Sequence, residues 1–212
     1  MKKLVVFIII FSSVFMSCNR KTTLKGRVMN PITGEGIAGA TISASKITME
    51  LPGGYKTVEQ TTSDTNGDFL LKFKKSASSI GVSTGNYHNI GWYQNGEIQN
   101  GYYLPVQQGE NMHADFYAVP YGELKLDINN VNCQGVTDTM WFRNKWLGYT
   151  GFESSYSTPR TGCYSYTSAS PFKIPIGTYI YETKVKRSGN ITFVYDTVTV
   201  NETGVSTIFI DY

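Results

Sequence analysis

The sequence predicts an all-β protein of two consecutive β-sandwich modules placed behind an export signal. Three observations lead there. Apolar and polar side chains alternate with period two from Leu24 to the end of the 212-residue chain, and no window of a dozen residues carries a 3.6-residue period. Only 17% of residues are Asp, Glu, Lys or Arg, while there are 15 Tyr and 21 Gly. Against a usual charged share of about 25%, this composition argues against disorder, a coiled coil or a helical bundle. Finally, the first eighteen residues, MKKLVVFIIIFSSVFMSC, form a segment of their own: Lys2 and Lys3, an apolar run from Leu4 to Met16, and Cys18 after the small Ser17.

The elements follow in order. Leu24, Gly26 and Val28 alternate before the turn Asn30-Pro31-Ile32-Thr33-Gly34-Glu35-Gly36, and Ile42 and Ala44 alternate with Thr41, Ser43 and Ser45. Asn66-Gly67 has the composition of a type I′ hairpin turn, which needs positive φ at both central residues. Phe69, Leu71 and Phe73 then face one way and Asp68, Leu70 and Lys72 the other. Further strands are expected at Ser79 to Thr84, Tyr102 to Val106 and Met112 to Val119. A second unit is expected from Pro120, where Leu124, Leu126 and Ile128 alternate with Glu123, Lys125 and Asp127, as in a sheet with one face in water. Its later strands are Tyr179 to Arg187, Ile191 to Val200 and Val205 to Asp211, separated by polar turns. Residues 24–119 and 120–212 each come close to the roughly 100 residues of an immunoglobulin-like sandwich; one extended sandwich is the alternative.

Residues 1–17 read as a signal peptide. Removing them leaves 195 residues with a formal charge of +1, so the balance gives no bulk electrostatic reason to bind nucleic acid or an anionic membrane. Phe15-Met16-Ser17-Cys18 resembles the lipobox of bacterial lipoproteins, with Phe15 where Leu is usual. The resemblance implies acylation of Cys18, with residues 18–23 as lipidated cysteine and polar tether. It also implies a membrane partner reached through the lipid. Without an Asp after the cysteine, outer-membrane delivery is expected, on either the periplasmic or the surface face. An ordinary secretory signal and a retained membrane helix are the competing readings; the latter needs about 20 apolar residues, more than this run supplies.

Cys133 and Cys163 are then an even pair in an oxidising compartment, where disulfides persist. A bridge is expected between them, with two free thiols or a metal pair as alternatives. No metal and no cofactor is expected, because His88 and His113 lie in no ligand-like spacing. Asp64, Asn66 and Asp68 alternate as in a calcium loop, but Phe69 and Lys75 stand where an EF-hand wants Gly and Glu.

Lys25-Gly26-Arg27-Val28, the run Thr33 to Ile42, and Thr62-Ser63-Asp64-Thr65-Asn66-Gly67-Asp68-Phe69 together resemble the carboxypeptidase regulatory-like family. The resemblance covers about residues 22 to 85. It departs at Ser63, where Thr is usual, and in a longer insertion at Met49 to Gly54. It implies a seven-stranded transthyretin-like sandwich serving as an accessory module of exported proteins, and no catalytic activity. Gly39-Ala40 is expected where strands pass closely, and Gly67 at the positive φ of the hairpin.

No nucleophile has a base at motif spacing, and G-x-S-x-G, H-E-x-x-H and P-loop patterns are absent. No catalytic residue is therefore assigned, and the expected function is a non-enzymatic binding or assembly module of the envelope, with a glycan or an envelope protein as partner. The rings in polar contexts, among them Trp92, Tyr93, Tyr102, Tyr103, Trp141 and Trp146, offer a second reading. On it the protein is a glycan-binding lipoprotein for polysaccharide uptake, with Trp92, Tyr93, Tyr102 and Tyr103 as the platform; packing in a sandwich core is the competing role for these rings. A third is an accessory subunit of an envelope hydrolase or peptidase. Asp138-Thr139-Met140 and Asp196-Thr197-Val198 resemble a short O-glycosylation acceptor motif.

Overall fold

The computed structural model describes residues 21–49, 53–99 and 103–212. Residues 1–17, Cys18 with the start of the tether, Tyr102 and part of the Met49 to Gly54 insertion lie outside the described residues. Every regular element among those described is a strand, and the chain divides into two compact units. The first comprises residues 21–85 and 89–118, the second residues 86–88 and 119–212.

The first unit holds β1 (Thr22–Met29), β2 (Thr41–Thr48), β3 (Gly54–Thr62), β4 (Asp68–Phe73) and β5 (Ser79–Ser83), then β6 (His88–Gln94), β7 (Glu97–Ile98), β8 (Tyr103–Pro105), β9 (Asn111–His113) and β10 (Asp115–Val119). They form two sheets, β4-β1-β10-β6-β7 with β9 also on β1, and β3-β2-β5-β8. Period-two alternation puts Leu24, Val28, Phe69, Leu71, Phe73, Trp92 and Phe116 from one sheet against Ile42, Ala44, Ile80 and Leu104 from the other. Burying these faces against one another is what holds a sandwich together. The strand expected from Met112 to Val119 is broken at Ala114 into β9 and β10, both parallel to β1.

The turn at Asn66-Gly67 differs from the expected hairpin. Gly67 has φ +81°, but Asn66 lies outside the positive-φ region, so the turn is not type I′. Its strands also belong to different sheets, β3 to one and β4 to the other. The Asp64 carboxylate closes the loop instead, accepting the backbone N–H of Asn66 at 2.8 Å and of Asp68 at 2.9 Å. That use of the carboxylate accounts for the acidic spacing that looked like a calcium loop. Positive φ at two consecutive residues occurs at Asn95-Gly96 between β6 and β7, and at Ser188-Gly189 in the second unit. Gly39 turns the chain at φ +73° with open space around it, so it is a turn residue and not a point of close strand passage.

The three segments that carry the family resemblance meet at one junction. Val28 N–H donates to the Gly67 carbonyl and Ile37 N–H to the Val28 carbonyl, each at 2.8 Å. The buried Ser63 hydroxyl donates to the Ile37 carbonyl at 2.7 Å and accepts from Ala40 N–H at 2.9 Å. A Cβ on Gly36 would stand 1.9 Å from the Asn66 carbonyl oxygen, and one on Gly67 would stand 2.2 Å from that of Val28.

The second unit holds β11 (Tyr121–Asn129), β12 (Thr139–Trp146), β13 (Arg160–Thr161), β14 (Ser165–Thr167), β15 (Phe172–Pro175), β16 (Gly177–Arg187), β17 (Asn190–Val200) and β18 (Val205–Asp211). Its sheets are β14-β11-β15, with β18 parallel to β11, and β13-β12-β16-β17. Leu124, Ile128, Ile208 and Ile210 from the first of these and Met140, Tyr179, Tyr181, Val185 and Val198 from the second are buried. Cys133 and Cys163 are bridged, with Cα atoms 5.2 Å apart, which fastens the β11–β12 loop to the segment after β13.

Two outcomes are expected. Replacing both Cys133 and Cys163 by Ser should lower unfolding free energy by about 3 to 4 kcal/mol for a loop of this length, read from the shift of the urea midpoint. Gly39→Ala should cost about 1 to 2 kcal/mol for its left-handed backbone alone, whereas Gly67→Ala adds a backbone collision and should cost clearly more in the same titration.

Candidate functional site

The rings expected to form one platform do not share a surface. Trp92 and Tyr93 are consecutive on β6, so their side chains leave the strand on opposite faces. Trp92 is 0% exposed, edge-on to Phe116 with centroids 5.2 Å apart. This corrects the platform assignment: the ring presents no face to a ligand, because the alternation of β6 commits it to the core. Tyr93 is half-buried and stacks on Tyr117 at 4.9 Å. Tyr103 is 58% exposed but sits on β8 in the other sheet, stacked on Tyr55 at 5.6 Å. Tyr102 lies outside the described residues.

A denser constellation lies on the outer face of the second unit's β13-β12-β16-β17 sheet. Cross-strand register places Trp141, Arg143 and Lys145 of β12 beside Lys184, Glu182 and Ile180 of β16. Lys184 and Glu182 in turn stand beside Phe193 and Tyr195 of β17. Side chains directly opposite one another on antiparallel strands share a face. Trp141 and Trp146 are five residues apart on one strand, so they face opposite ways. Trp146 is buried and Trp141 is partly exposed.

Glu182 sits at the centre of this face and is only 5% exposed. An ionised carboxylate in such a place needs its lone pairs met. Arg143 Nε donates to Oε1 at 2.7 Å, the Tyr156 hydroxyl donates to the same oxygen, and the Tyr195 hydroxyl donates to Oε2 at 2.9 Å. Burial pushes the Glu182 carboxyl up, but the bonds from Tyr156, Arg143 and Tyr195 outweigh it and hold the group below its ordinary value. Tyr156 arrives from the loop after β12, which runs along that strand: Ser157 N–H donates to the Phe142 carbonyl at 2.7 Å and Glu153 N–H to that of Asn144 at 3.0 Å.

The cations of the face lie over rings. The Arg143 guanidinium is 4.6 Å from the Tyr156 centroid and 5.1 Å from that of Phe152. Lys145 Nζ is 4.7 Å from Phe152, and Lys184 Nζ is 5.3 Å from Trp141 and 5.7 Å from Tyr156. Towards the β17 edge the face is open, with Ile191 and Phe193 each 51% exposed and Tyr195 58% exposed. Sequence reading picked out Trp141 but missed Arg143, Tyr156, Glu182 and Tyr195. The available signal was ITFVYDTV, where apolar side chains occupy both alternating sets, so one set has to meet solvent.

A second buried carboxylate is structural. Asp138 accepts the Gln134 N–H at 2.9 Å, the Asn130 amide at 3.3 Å and Arg187 Nε at 3.2 Å. The Gln134 N–H contributes most to holding its carboxyl below the ordinary value, burial opposing. Arg187 also donates to the Asn130 side-chain oxygen at 2.7 Å and lies over Tyr212 at 5.4 Å. The network braces the β11–β12 loop beside the Cys133–Cys163 bridge. The neighbouring Thr139 of the Asp138-Thr139-Met140 motif is partly exposed.

Because Glu182 and Asp138 are both held below their ordinary values, the stability they contribute is complete above the usual carboxylate range, about pH 4. It is lost as pH falls through the folded values. The thermal midpoint should therefore drop on acidification from pH 6 to pH 3. Glu182→Gln should lower the midpoint by several degrees at pH 7, since it removes the charge paired with Arg143 and sets an NH2 where Oε2 accepts from Tyr195, and should flatten the acid slope; a melting series over that range reads both.

No protein-family model matches the chain, and no curated protein matches it. Among solved structures it is similar to the minor pilin GBS52 of Streptococcus agalactiae, at 13% identity and a TM-score of 0.37 over 91% of this chain and 94% of that one. It is also similar to a DUF3823 family protein from Bacteroides uniformis, at 10% identity and a TM-score of 0.32 over 84% of this chain and 96% of that one. The Bacillus anthracis TIE protein is similar at 16% identity and a TM-score of 0.32 over 92% of this chain, which spans 34% of that protein's length.

Proposed function

We propose that the chain is a non-enzymatic, lipid-anchored protein of the cell envelope, carried at the outer membrane, where it acts as a binding or assembly module. The observation that carries this reading is the ring-and-cation face of the second unit. Flat rings and long basic side chains on a paired sheet suit reversible contact with a partner. The carboxylate among them is engaged by one guanidinium and two phenols, a role in bracing the face. The lipobox-like Phe15-Met16-Ser17-Cys18 supports tethering. The Cys133–Cys163 bridge supports an oxidising compartment. The first unit is read as a carboxypeptidase regulatory-like accessory module; in support, the segments that resemble that family converge on the Gly36–Gly67 junction. A glycan-binding lipoprotein is the second reading, favoured by the half-exposed Phe193 and Tyr195.

The anchor is tested by expressing the full chain in a Gram-negative host. The wild type should fractionate with the outer membrane and yield an N-terminal peptide that begins at Cys18 with the mass of attached acyl groups. Cys18→Ser should leave the protein in the soluble periplasmic fraction. Unmodified Cys18 in the membrane fraction would sink the anchoring claim.

A further inference from the structure

We infer that the outer face of the β12–β16–β17 sheet binds an anionic saccharide, a sugar polymer bearing carboxylate or sulfate groups. The inference rests on the reading of the chain as an envelope binding module and names the ligand of that face.

Charge distribution is the first ground. Residues 119–212 carry eight basic and eight acidic side chains, so the unit as a whole is neutral. On this one face, the residues of β12, β16 and β17 include Arg143, Lys145, Lys184 and Lys186 as bases and Glu182 as the acid, and the loop after β12 adds the exposed Glu153, whose carboxylate accepts from the Asn144 amide at 3.2 Å. Glu182 is buried and already paired with Arg143 at 2.7 Å. What remains towards solvent is a basic patch, and its complement is an anion.

The second ground is how the cations are held. Lys184 lies over Trp141 and Tyr156, and Lys145 over Phe152. An ammonium has three donors, and contact with a ring face leaves donors directed outward. Ring contact also limits the freedom of each long side chain, which reduces what binding costs in lost rotamers. Beside them Phe193 and Tyr195 stand two residues apart on one strand, about 7 Å, each with about half its surface free.

A saccharide meets both features with one chemical unit. Its C–H face lies against an aromatic ring while a carboxylate or sulfate on the same sugar reaches a neighbouring ammonium. An acidic peptide satisfies the cations, but its carboxylates carry no apolar face of their own for Phe193 and Tyr195. The face is therefore assigned to the sugar, and the peptide becomes an outcome to be tested.

The test uses the mature protein purified in detergent, with polygalacturonate, dextran sulfate, neutral dextran and polyglutamate as probes, read by affinity electrophoresis and calorimetry. Binding is expected to at least one of the two anionic glycans and not to dextran, and which polymer binds separates carboxylate from sulfate recognition. Phe193→Ala and Lys184→Gln should each weaken binding about tenfold, whereas Phe193→Tyr, which keeps the ring, should retain it. Phe209→Ala removes an equally exposed ring from the other sheet and should change nothing. Thermal midpoints of these surface variants should match the wild type, which separates lost contact from lost fold. Failure to bind either anionic glycan overturns the inference, as does glycan binding indifferent to Phe193→Ala, the signature of simple ion exchange. Polyglutamate binding as tight as glycan binding would assign the face to an acidic peptide instead. Acylation of Cys18 is read separately by mass, so an acylated protein that ignores every glycan defeats this inference and leaves the anchoring reading standing.

Discussion

Three stretches of backbone cross at Val28, Gly36 and Gly67 more closely than any side chain permits, and the first unit is built outward from that contact. With carbonyl oxygens within about 2 Å of where Cβ atoms would lie at Gly36 and Gly67, glycine is a steric requirement there. The crossing lets β1 pair with β4 while the chain between them turns into the opposite sheet. Ser63 secures it from inside by bonding both Ile37 and Ala40. A hydroxyl of either Ser or Thr could form those two bonds, so the departure from the usual Thr costs the junction no hydrogen bond.

The second unit meets a different constraint, because it brings two carboxylates into places where water reaches them poorly. Burying charge is costly unless hydrogen bonds and an opposite charge offset it. Asp138 is met by a backbone amide, a side-chain amide and Arg187, close to the disulfide. Glu182 is met by Arg143, Tyr156 and Tyr195. The two differ in what surrounds them. Asp138 and Arg187 tie a loop to the sheet, whereas Glu182 fixes side chains whose other surfaces face solvent. The bonds to Asp138 all fall on Oδ2, whereas both oxygens of Glu182 are engaged.

The rings gathered on that face are not the ones that sequence proximity groups together. Rings drawn together by nearness in the sequence were separated by the sheets: Trp92 entered the core, while Tyr93 and Tyr103 stacked on Tyr117 and Tyr55 in different sheets. Trp141, Tyr156, Phe193 and Tyr195 span more than fifty positions along the chain, yet they share one face because β12, β16 and β17 pair in register. Their cations came with them by the same alternation.

Period-two patterning by itself determined that this chain is all-β, and it marked most of the strands, since each must bury one face and wet the other. It also placed β5, β11, β16, β17 and β18 within a few residues, and the even pair Cys133 and Cys163 was legible from compartment and count. Only tertiary structure decided the rest, because alternation says that a side chain faces one way without saying what lies there. The type I′ geometry fell at Asn95-Gly96 and Ser188-Gly189 and not at Asn66-Gly67, where the Asp64 carboxylate imposed another turn. Glu182 reads in sequence as one acid among sixteen; it became the centre of a face when strand register set Arg143 and Tyr195 against it and the loop after β12 delivered Tyr156. Those neighbours come from separate strands and a loop, and no local pattern encodes them.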